Sequence, residues 1–467
     1  MRALEPAAVQ PRRLSLSAAK RLDLLLDEGS LLQLDTPIRG IIGGLGSLDG
    51  RPVAIFTEDP EERAPAPSPL RAEKVCRIFD LAIDHRAPLI SMYGPPAEDS
   101  RGDGGLAGCP QIAVRAARLS GVVPQLAVLF GVCRGAAASA ASLADFVICV
   151  DGEETDAAEP SDKVPFAMNA ARRGYCDLGV DNAAAALLFL RELFSYLPCD
   201  ALEPSPLGNS DDDPERRVDW IEDLVPVEGF QAYDMTRLVR GVADDGQFVE
   251  VMCEYARNMV IGFARFGNRA AGIIANQPSH LAGVIDFDAA CKAARFMRFC
   301  DAFNIPLITF VDVPGFLPGV QQELSGMIRH GAKLGYACCE ATSPKISLVV
   351  RKAYGGAFAV MCSKHMGGDI NLAYPSAEIA VMGPEAAVGL LYREEIRKAG
   401  DQADQVRATL VAKYRATFSH PYAAAELGHL DAVIPPRETR MALTRALRQL
   451  ESKKPRTPRR KHGNVPL

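Results

Sequence analysis

VPQLAVLFGVCRGAAASAA (residues 123–141) and SPKISLVVRKAYGGAFAVM (residues 343–361) follow the same pattern. In each stretch, a run of apolar and β-branched residues is followed by small residues and then by a helix-forming segment. This order predicts a buried strand that enters a helix through a tight, glycine-rich turn. The two stretches begin 220 residues apart (343 − 123), so we expect one structural unit to occur twice.

Three further pairs of segments occur in the same order in both halves of the chain. A period of this length indicates a duplicated domain, because each copy is long enough to bury its own core. The pairs are DEG (27–29) with DDG (244–246), DGRPVAI (49–55) with GNRAAGI (267–273), and APLISMYGPP (87–96) with IPLITFVDVPG (305–315).

Each half alternates short apolar runs, bounded by Pro and Gly, with alanine-rich segments of helical periodicity. This alternation predicts an α/β fold in which each domain has a mostly parallel sheet with surrounding helices. Between the halves, EPSPLGNSDDDPE (203–215) disfavours both regular elements. We therefore predict an N-terminal domain over 1–205 and a C-terminal domain over 216–467.

The composition is that of a soluble globular protein, with 467 residues, 48% hydrophobic and 24% charged. The formal net charge is -6 and the basic residues are scattered, so we expect no nucleic-acid partner. No uncharged apolar run reaches the roughly 18 residues of a membrane helix, so no membrane contact is expected. Twelve Cys without a CxxC pair predict neither disulfides nor a metal site, and favour a cytoplasmic location.

The two strand-to-helix turns are the strongest candidates for chemistry. The first N–H groups of a helix have no partner within the helix, and small residues let a carbonyl oxygen approach them. Two such turns therefore predict two oxyanion holes. The alternative is that the small residues only let each helix pack closely on its sheet. His280, His330, His365 and His420 lack ligand spacing, so we expect substrate or cofactor to handle its own protons.

The second half resembles a known family most closely. The stretch from VDVPGFLPG to GLLYR (311–393), LGHLDAVIPPRETR (427–440) and KHGNVPL (461–467) are similar to the carboxyltransferase β subunits of biotin-dependent acyl-CoA carboxylases, such as propionyl-CoA carboxylase β. The resemblance implies two duplicated crotonase-like (ClpP/crotonase) domains. It also implies a homo-oligomer, dimer or hexamer, in which the N-domain of one subunit faces the C-domain of the next.

The resemblance assigns roles to the two holes. One holds the enolate of an acyl-CoA on the N-domain, and the other holds the ureido oxygen of carboxybiotin on the C-domain, with biotin taking the α-proton. No biotin-acceptor segment occurs in this chain, so carboxybiotin would come from a biotinylated α subunit or carrier protein, and no cofactor is covalently bound. The implied catalytic residues are Gly135, Ala136, Gly356 and Ala357, and the implied substrate-binding residues are Arg134, Tyr354, Phe358 and Ala359.

The first half departs from the family pattern at several places. APAPSPLRAEK (64–74) replaces a glycine-rich stretch, and DGEETDAAEPSDKVPF (151–166) replaces a segment with a Glu-Leu-Gly-Gly signature. In the first hole, Arg134 stands where the family usually has Ala, and Ala136 where it has Gly. We therefore expect a remodelled acyl-CoA side. Arg134 either binds a carboxylate, phosphate or enolate, or it faces solvent or pairs with a nearby acidic residue.

Three functions are compatible with these observations. The leading one is a carboxyltransferase that moves a carboxyl group from carboxybiotin to the α-carbon of an acyl-CoA. The second is biotin-independent enolate chemistry, either decarboxylation or Claisen-type condensation or cyclisation, on a CoA-bound or carrier-bound acyl or polyketide thioester. The third is a non-catalytic partner in a mixed carboxylase complex.

Overall fold

The computed structural model describes residues 16–34, 40–59, 69–94, 104–133, 136–151, 166–454, 458 and 461–466. The chain forms two compact units that divide between Arg191 and Glu192. Each unit contains one mostly parallel sheet with helices around it, which confirms the predicted α/β class. The segment 203–215, predicted as the linker, lies near the start of the second unit.

The first sheet is built, in the described residues, from strands in the spatial order β1-β2-β3-β4-β5-β6-β7. Strands β1 to β3 pair antiparallel, and β3 to β7 pair parallel. The strands are β1 (Leu32–Gln33), β2 (Ile41–Leu48), β3 (Arg51–Glu58), β4 (Leu89–Tyr93), β5 (Gln125–Phe130), β6 (Phe146–Val150) and β7 (Leu178–Val180). The helices are α1 (Ala18–Leu25), α2 (Pro69–His85), α3 (Gly104–Leu119), α4 (Ala136–Ala141), α5 (Phe166–Arg172) and α6 (Ala183–Phe194), which contains the boundary between the units.

The second sheet has the order β15-β13-β12-β11-β10-β9-β8, with β14 paired to β12. Strands β8 to β10 pair antiparallel and the others parallel. The strands are β8 (Phe248–Val251), β9 (Met259–Phe266), β10 (Arg269–Asn276), β11 (Leu307–Val313), β12 (Lys345–Tyr354), β13 (Ile370–Ala373), β14 (Glu378–Ala380) and β15 (Ala432–Val433).

The second unit has eleven helices in the described residues. They are α7 (Ile221–Leu224), α8 (Met235–Val242), α9 (Phe287–Ala302), α10 (Val320–Leu324), α11 (Met327–Glu340), α12 (Gly355–Val360), α13 (Pro384–Leu391), α14 (Arg393–Lys398), α15 (Ala403–Tyr414), α16 (Pro421–Glu426) and α17 (Thr439–Leu450). Helices α7, α8 and α17 contribute to the buried apolar core on this sheet, and α13, α14 and α15 share a smaller cluster. Short 3₁₀ turns lie at Asp244–Gly246, Leu281–Gly283, Lys364–Met366, Gly400–Gln402 and Pro436–Glu438, and a π turn at Arg415–Ser419.

The duplication predicted from the sequence is visible in the strand order of both units. An antiparallel hairpin, β2–β3 in the first unit and β9–β10 in the second, leads into parallel strands in each case. The central parallel strands β4, β5 and β11 are buried on both faces. Burial on both faces explains why these strands are continuous apolar runs rather than alternating patterns.

The repeated DEG and DDG motifs have the same structural role in the two units. The Asp27 carboxylate accepts the N–H of Gly50 at 2.9 Å in the β2–β3 turn, and Asp244 accepts the N–H of Gly267 at 2.9 Å in the β9–β10 turn. Hydrogen bonds from Ser47 and from the turn lower the pKa of Asp27 below its usual range. Each acidic residue therefore stabilises the turn of the antiparallel hairpin in its own unit.

The cysteines described in the structure are free, and most of them are buried. This agrees with their interpretation as small core residues. Within the described ranges, we find no helix that combines the length and apolar character needed to cross a membrane.

Candidate active site

The turn at the end of β12 is the best-defined candidate site. Strand β12 ends at Tyr354 and helix α12 begins at the next residue, Gly355. Gly355 has φ +58°, and a Cβ atom there would lie 2.9 Å from the Val381 carbonyl oxygen. Only glycine satisfies both the conformation and the close contact. The first glycine of the predicted turn is therefore required by the backbone.

Gly356 and Ala357 lie in the first turn of α12. The backbone N–H groups of this turn have no hydrogen-bond acceptor within the helix. Gly356 is exposed, whereas the Ala357 side chain is buried. A Cβ atom at residue 356 would meet its nearest neighbour, the Phe316 ring, at 3.7 Å. The space beside this backbone is thus open to a ligand oxygen and is limited by one aromatic ring.

The Phe316 ring links this turn to α11. A Cβ atom built on Gly331 of α11 would lie 3.4 Å from the other edge of the same ring. The backbone on both sides of Phe316 is held by hydrogen bonds to Ile285: Ile285 N–H donates to Gly315 O at 3.1 Å, and Leu317 N–H donates to Ile285 O at 2.8 Å. These contacts fix the ring beside Gly356.

Tyr354 and Phe358, predicted to bind substrate, are both mostly buried, and Ala359 is half-buried. The Tyr354 hydroxyl donates to the Glu378 carboxylate, and burial raises the pKa of Tyr354. Glu378 is also paired with Arg415 Nε at 2.7 Å. The side chain of Tyr354 is therefore held at the end of β12 by its contact with Glu378.

A buried ion pair lies at the same end of β12, and the sequence analysis missed it. Asp312 of β11 accepts hydrogen bonds from Arg351 Nε at 3.0 Å and from the Tyr233 hydroxyl at 3.0 Å. Burial raises the pKa of Asp312, and the Arg351 guanidinium opposes this effect. Arg351 also donates to the Gln231 carbonyl at 2.7 Å. The sequence did carry a signal: the charged residues Arg351 and Lys352 lie inside an apolar strand. Buried charged side chains need partners, so such partners were to be expected.

Asp312 lies where the pairing of β11 with β12 changes register. Val311 pairs with Val349, but Val313 pairs with Ala353. At this shift, the Asp312 carboxylate accepts the Lys352 N–H at 3.1 Å and so substitutes for a regular strand partner. The position of the last residues of β12, and of the turn that follows them, depends on this carboxylate.

The corresponding turn of the first unit is described only in part. Arg134 and Gly135 lie outside the described residues, as does the side chain of Ala136, at which α4 begins. Strand β5 ends at Phe130, before Gly131 with φ +75°. The strand-to-helix order predicted for this half is therefore present.

Three residues at the carboxyl ends of adjacent parallel strands lie close together in the first unit. Glu58 ends β3, and its carboxylate accepts the Gly94 N–H, just after β4, at 2.9 Å. Cys133, just after β5, lies with Sγ 3.3 Å from Gly94 O. Burial raises the pKa of Glu58, and it raises the pKa of Cys133 to about 12. Ligands of parallel α/β sheets bind at the carboxyl ends of the strands. Glu58 lies at such an end, and the sequence analysis had not selected it.

The two sheets of common topology, each with a strand that leads into a small-residue turn and helix, define a chain of two crotonase-like domains. The family model described as carboxyl transferase domain matches residues 16–156 and 162–465. The chain belongs to this carboxyl transferase family and is a carboxyltransferase, as the resemblance of the sequence had implied. The match includes the first half, despite its departures.

Individual relatives agree with this assignment. The chain is 41% identical to the propionyl-CoA carboxylase carboxyltransferase subunit of Haloferax mediterranei, over 97% of this chain and 93% of that protein. It is 39% identical to the propionyl-CoA carboxylase beta chain of Saccharopolyspora erythraea, over 97% and 90%. A transcarboxylase 12S crystal structure with methylmalonyl-coenzyme A and methylmalonic acid bound has a TM-score of 0.89 at 37% identity, covering 97% of this chain and 92% of that chain.

Replacing Gly355 with alanine should destabilise the second unit. The left-handed conformation at φ +58° and the 2.9 Å approach to Val381 O together predict a loss of about 1–3 kcal/mol in the free energy of unfolding. Urea denaturation measures this loss. Gly389→Ala in α13, where a Cβ atom meets nothing within 4 Å, is the matched control and should be neutral or stabilising. Equal effects of the two substitutions would contradict the requirement for glycine at 355.

Proposed function

We propose that this protein transfers a carboxyl group from carboxybiotin to the α-carbon of a short-chain acyl-CoA, through an enolate held by backbone N–H groups. The observation that supports this most strongly is the exposed Gly356 turn at the end of β12, in a chain 37–41% identical to carboxylase and transcarboxylase subunits. The relatives are named for propionyl-CoA, and the 12S structure contains methylmalonyl-coenzyme A.

The second unit supplies the biotin side in this proposal. The glycine at 356 leaves no side chain between the helix N–H groups and an incoming planar oxygen-bearing group, and Phe316 limits the space at 3.7 Å. These features fit a ureido ring. Carboxybiotin, when bound, supplies the carboxyl group, and the biotin that remains accepts the α-proton. The N–H groups of Gly356 and Ala357 hold its oxygen, and Tyr354, Phe358 and Ala359 shape the wall of the site.

The first unit supplies the acyl-thioester side. We assign the thioester oxygen to the N–H groups of Gly135 and Ala136, and the charged part of the substrate to Arg134. Donors aimed at a developing oxyanion are worth about 2.7–4 kcal/mol each, which lowers the barrier to forming the enolate. In terms of the chain, residues 1–205 would bind the acyl-CoA and residues 216–467 the biotin.

The partners follow from this division. We propose that carboxybiotin arrives on a biotinylated α subunit or carrier protein, and that the chain works as a cytoplasmic homo-oligomer. The transcarboxylase 12S structure is a hexamer assembly, which supports the oligomer. The comparisons favour neither biotin-independent enolate chemistry nor a non-catalytic role in a mixed complex.

Label crossover tests the proposed transfer. Methylmalonyl-CoA with a ¹³C-labelled free carboxyl group is mixed with deuterated propionyl-CoA, free biotin and the protein, and the thioesters are followed by mass spectrometry. The proposal predicts ¹³C in deuterated methylmalonyl-CoA. Loss of the label as bicarbonate, without transfer and at the same rate in the absence of biotin, would indicate a decarboxylase instead.

Replacing Arg134 with alanine should raise the KM for acyl-CoA roughly tenfold and change kcat little. A hydrogen bond to a charged group contributes about 1.5–3 kcal/mol, and this binding is expected in both ground and transition states. Steady-state kinetics with varied acyl-CoA measure the effect, and Arg134→Lys should retain part of the affinity. Unchanged kinetics in both variants would mean that Arg134 does not bind the substrate and instead faces solvent or pairs with a nearby acidic residue.

A further inference from the structure

A thiol, an imidazole and an ammonium group meet outside the proposed carboxyl-transfer site. Cys291 lies on α9, and His330 and Lys333 lie on α11. The Cys291 Sγ is 2.9 Å from His330 Nδ1 and 3.9 Å from Lys333 Nζ. All three residues are half-buried, so their side chains retain access to solvent. None of them has a role in the proposed transfer of the carboxyl group.

The imidazole is held in place towards the sulfur. His330 and Lys333 are three residues apart on α11 and therefore project from the same side of the helix. The His330 ring packs against the ring of Phe287, with centroids 5.8 Å apart, and Phe287 lies one turn before Cys291 on α9. The contact between Cys291 Sγ and His330 Nδ1 is thus set by the packing of α9 against α11.

The arrangement suits a thiol that loses its proton as it reacts. Burial raises the pKa of the Cys291 thiol and lowers the pKa of His330, so both groups are neutral at rest. A neutral imidazole accepts a proton at Nδ1, and the thiolate is the nucleophilic form of cysteine. The nearby Lys333 ammonium stabilises that thiolate and opposes the effect of burial.

An exposed thiol on α11, Cys339, lacks this environment. Cys339 is exposed, and its sulfur lies 3.7 Å from the Met366 thioether rather than beside a base. Cys338, its neighbour, is fully buried. Exposure alone would make Cys339 the more reactive thiol, whereas base assistance would favour Cys291. Exposure and base assistance therefore predict opposite orders of reactivity for Cys339 and Cys291.

We propose that Cys291 is a modification site that reacts with low-molecular-weight disulfides, with His330 as the base and Lys333 as the group that stabilises the thiolate. His330 takes the thiol proton, and the Cys291 sulfur attacks one sulfur of the disulfide. A new S–S bond forms as the old one breaks, and the leaving thiolate takes up the proton. The products are a mixed disulfide at Cys291 and one free small thiol, so electrons and protons balance.

The test is residue-resolved thiol kinetics on the full-length protein. Oxidised glutathione and 5,5′-dithiobis(2-nitrobenzoate) are the probes, and adducts are quantified by peptide mass spectrometry over time. Cys291 should react about tenfold faster than Cys339, although Cys339 is the more exposed. A faster reaction at Cys339 would overturn the proposal.

Two variants separate base assistance from access. His330→Gln should slow the reaction at Cys291 about 100-fold and leave the Cys339 rate unchanged, and Lys333→Gln should slow Cys291 by a smaller factor. An unchanged Cys291 rate in His330→Gln would also overturn the proposal. If His330→Gln fails to fold, the comparison of Cys291 with Cys339 in the natural protein and the Lys333→Gln variant still decide the question.

Discussion

Replacing Gly356 with valine is expected to abolish carboxyl transfer while the protein remains folded. Residue 356 is exposed, and a Cβ atom there would have only an ordinary contact, 3.7 Å from Phe316. The backbone can therefore accept a side chain, but a branched one would cover the N–H groups of the turn. Loss of a single oxyanion donor lowers kcat about 10²–10³-fold, and valine should block two.

Carboxyl exchange measured beside circular dichroism and urea denaturation checks this result. The matched control is Gly389→Val, because Gly389 lies in α13 with open space around it. We expect that variant to retain its kcat. Full activity of Gly356→Val would refute the assignment of the hole to Gly356 and Ala357.

Replacing Asp312 with asparagine should reduce both stability and catalysis. Arg351, a residue only 4% exposed, would lose its counter-ion, and breaking a buried ion pair costs about 3–5 kcal/mol. The Lys352 N–H would lose its charged acceptor at the register shift that precedes the turn. We expect kcat for carboxyl transfer to fall about tenfold or more in the folded fraction, since small displacements of a donor weaken it strongly.

Asp244 supplies a control with similar chemistry at the opposite end of the strands of the same sheet. It is buried, pairs with Arg440 Nη1 at 2.8 Å, and accepts backbone N–H groups of the β9–β10 turn. Asp244→Asn should therefore lower the free energy of unfolding to a similar degree and leave kcat unchanged in the folded protein. Equal losses of kcat in the two variants would mean that Asp312 acts only through stability.

The features predicted correctly from the sequence are those with local signals. Apolar runs followed by small residues at 123–141 and 343–361 predicted strands that lead into helices, and the structure has β5 with α4 and β12 with α12. The order of the repeated segments predicted two similar units, because a duplicated chain keeps the order of its elements. The same comparison paired Asp27 with Asp244, although their hairpin contacts became visible only in the structure.

The features that the sequence analysis missed depend on pairing between distant segments. Asp312 and Arg351 are 39 residues apart, and the Arg351 contact with Gln231 spans 120 residues. No periodicity predicts which side chains meet across a sheet, still less at a register shift. Glu58 was missed for the same reason, because its contact with Gly94 joins neighbouring strands that are separated by a helix.

The departures in the first half led us to expect a remodelled acyl-CoA side, yet the family match includes residues 16–156. Glu58, Gly94 and Cys133 show that the ends of β3, β4 and β5 still converge there. The strands of the first sheet are thus present, while residues 64–68 and 152–165, where the sequence departs from the family pattern, lie outside the described residues.

The most direct test of carboxyl transfer is the biotin dependence of carboxyl loss from methylmalonyl-CoA. The purified protein is mixed with this thioester, with and without free biotin, and propionyl-CoA formation is followed by mass spectrometry. The proposed function predicts formation that requires biotin and is lost in Gly356→Val but kept in Gly389→Val. Formation at the same rate without biotin, or no formation under either condition, would contradict it.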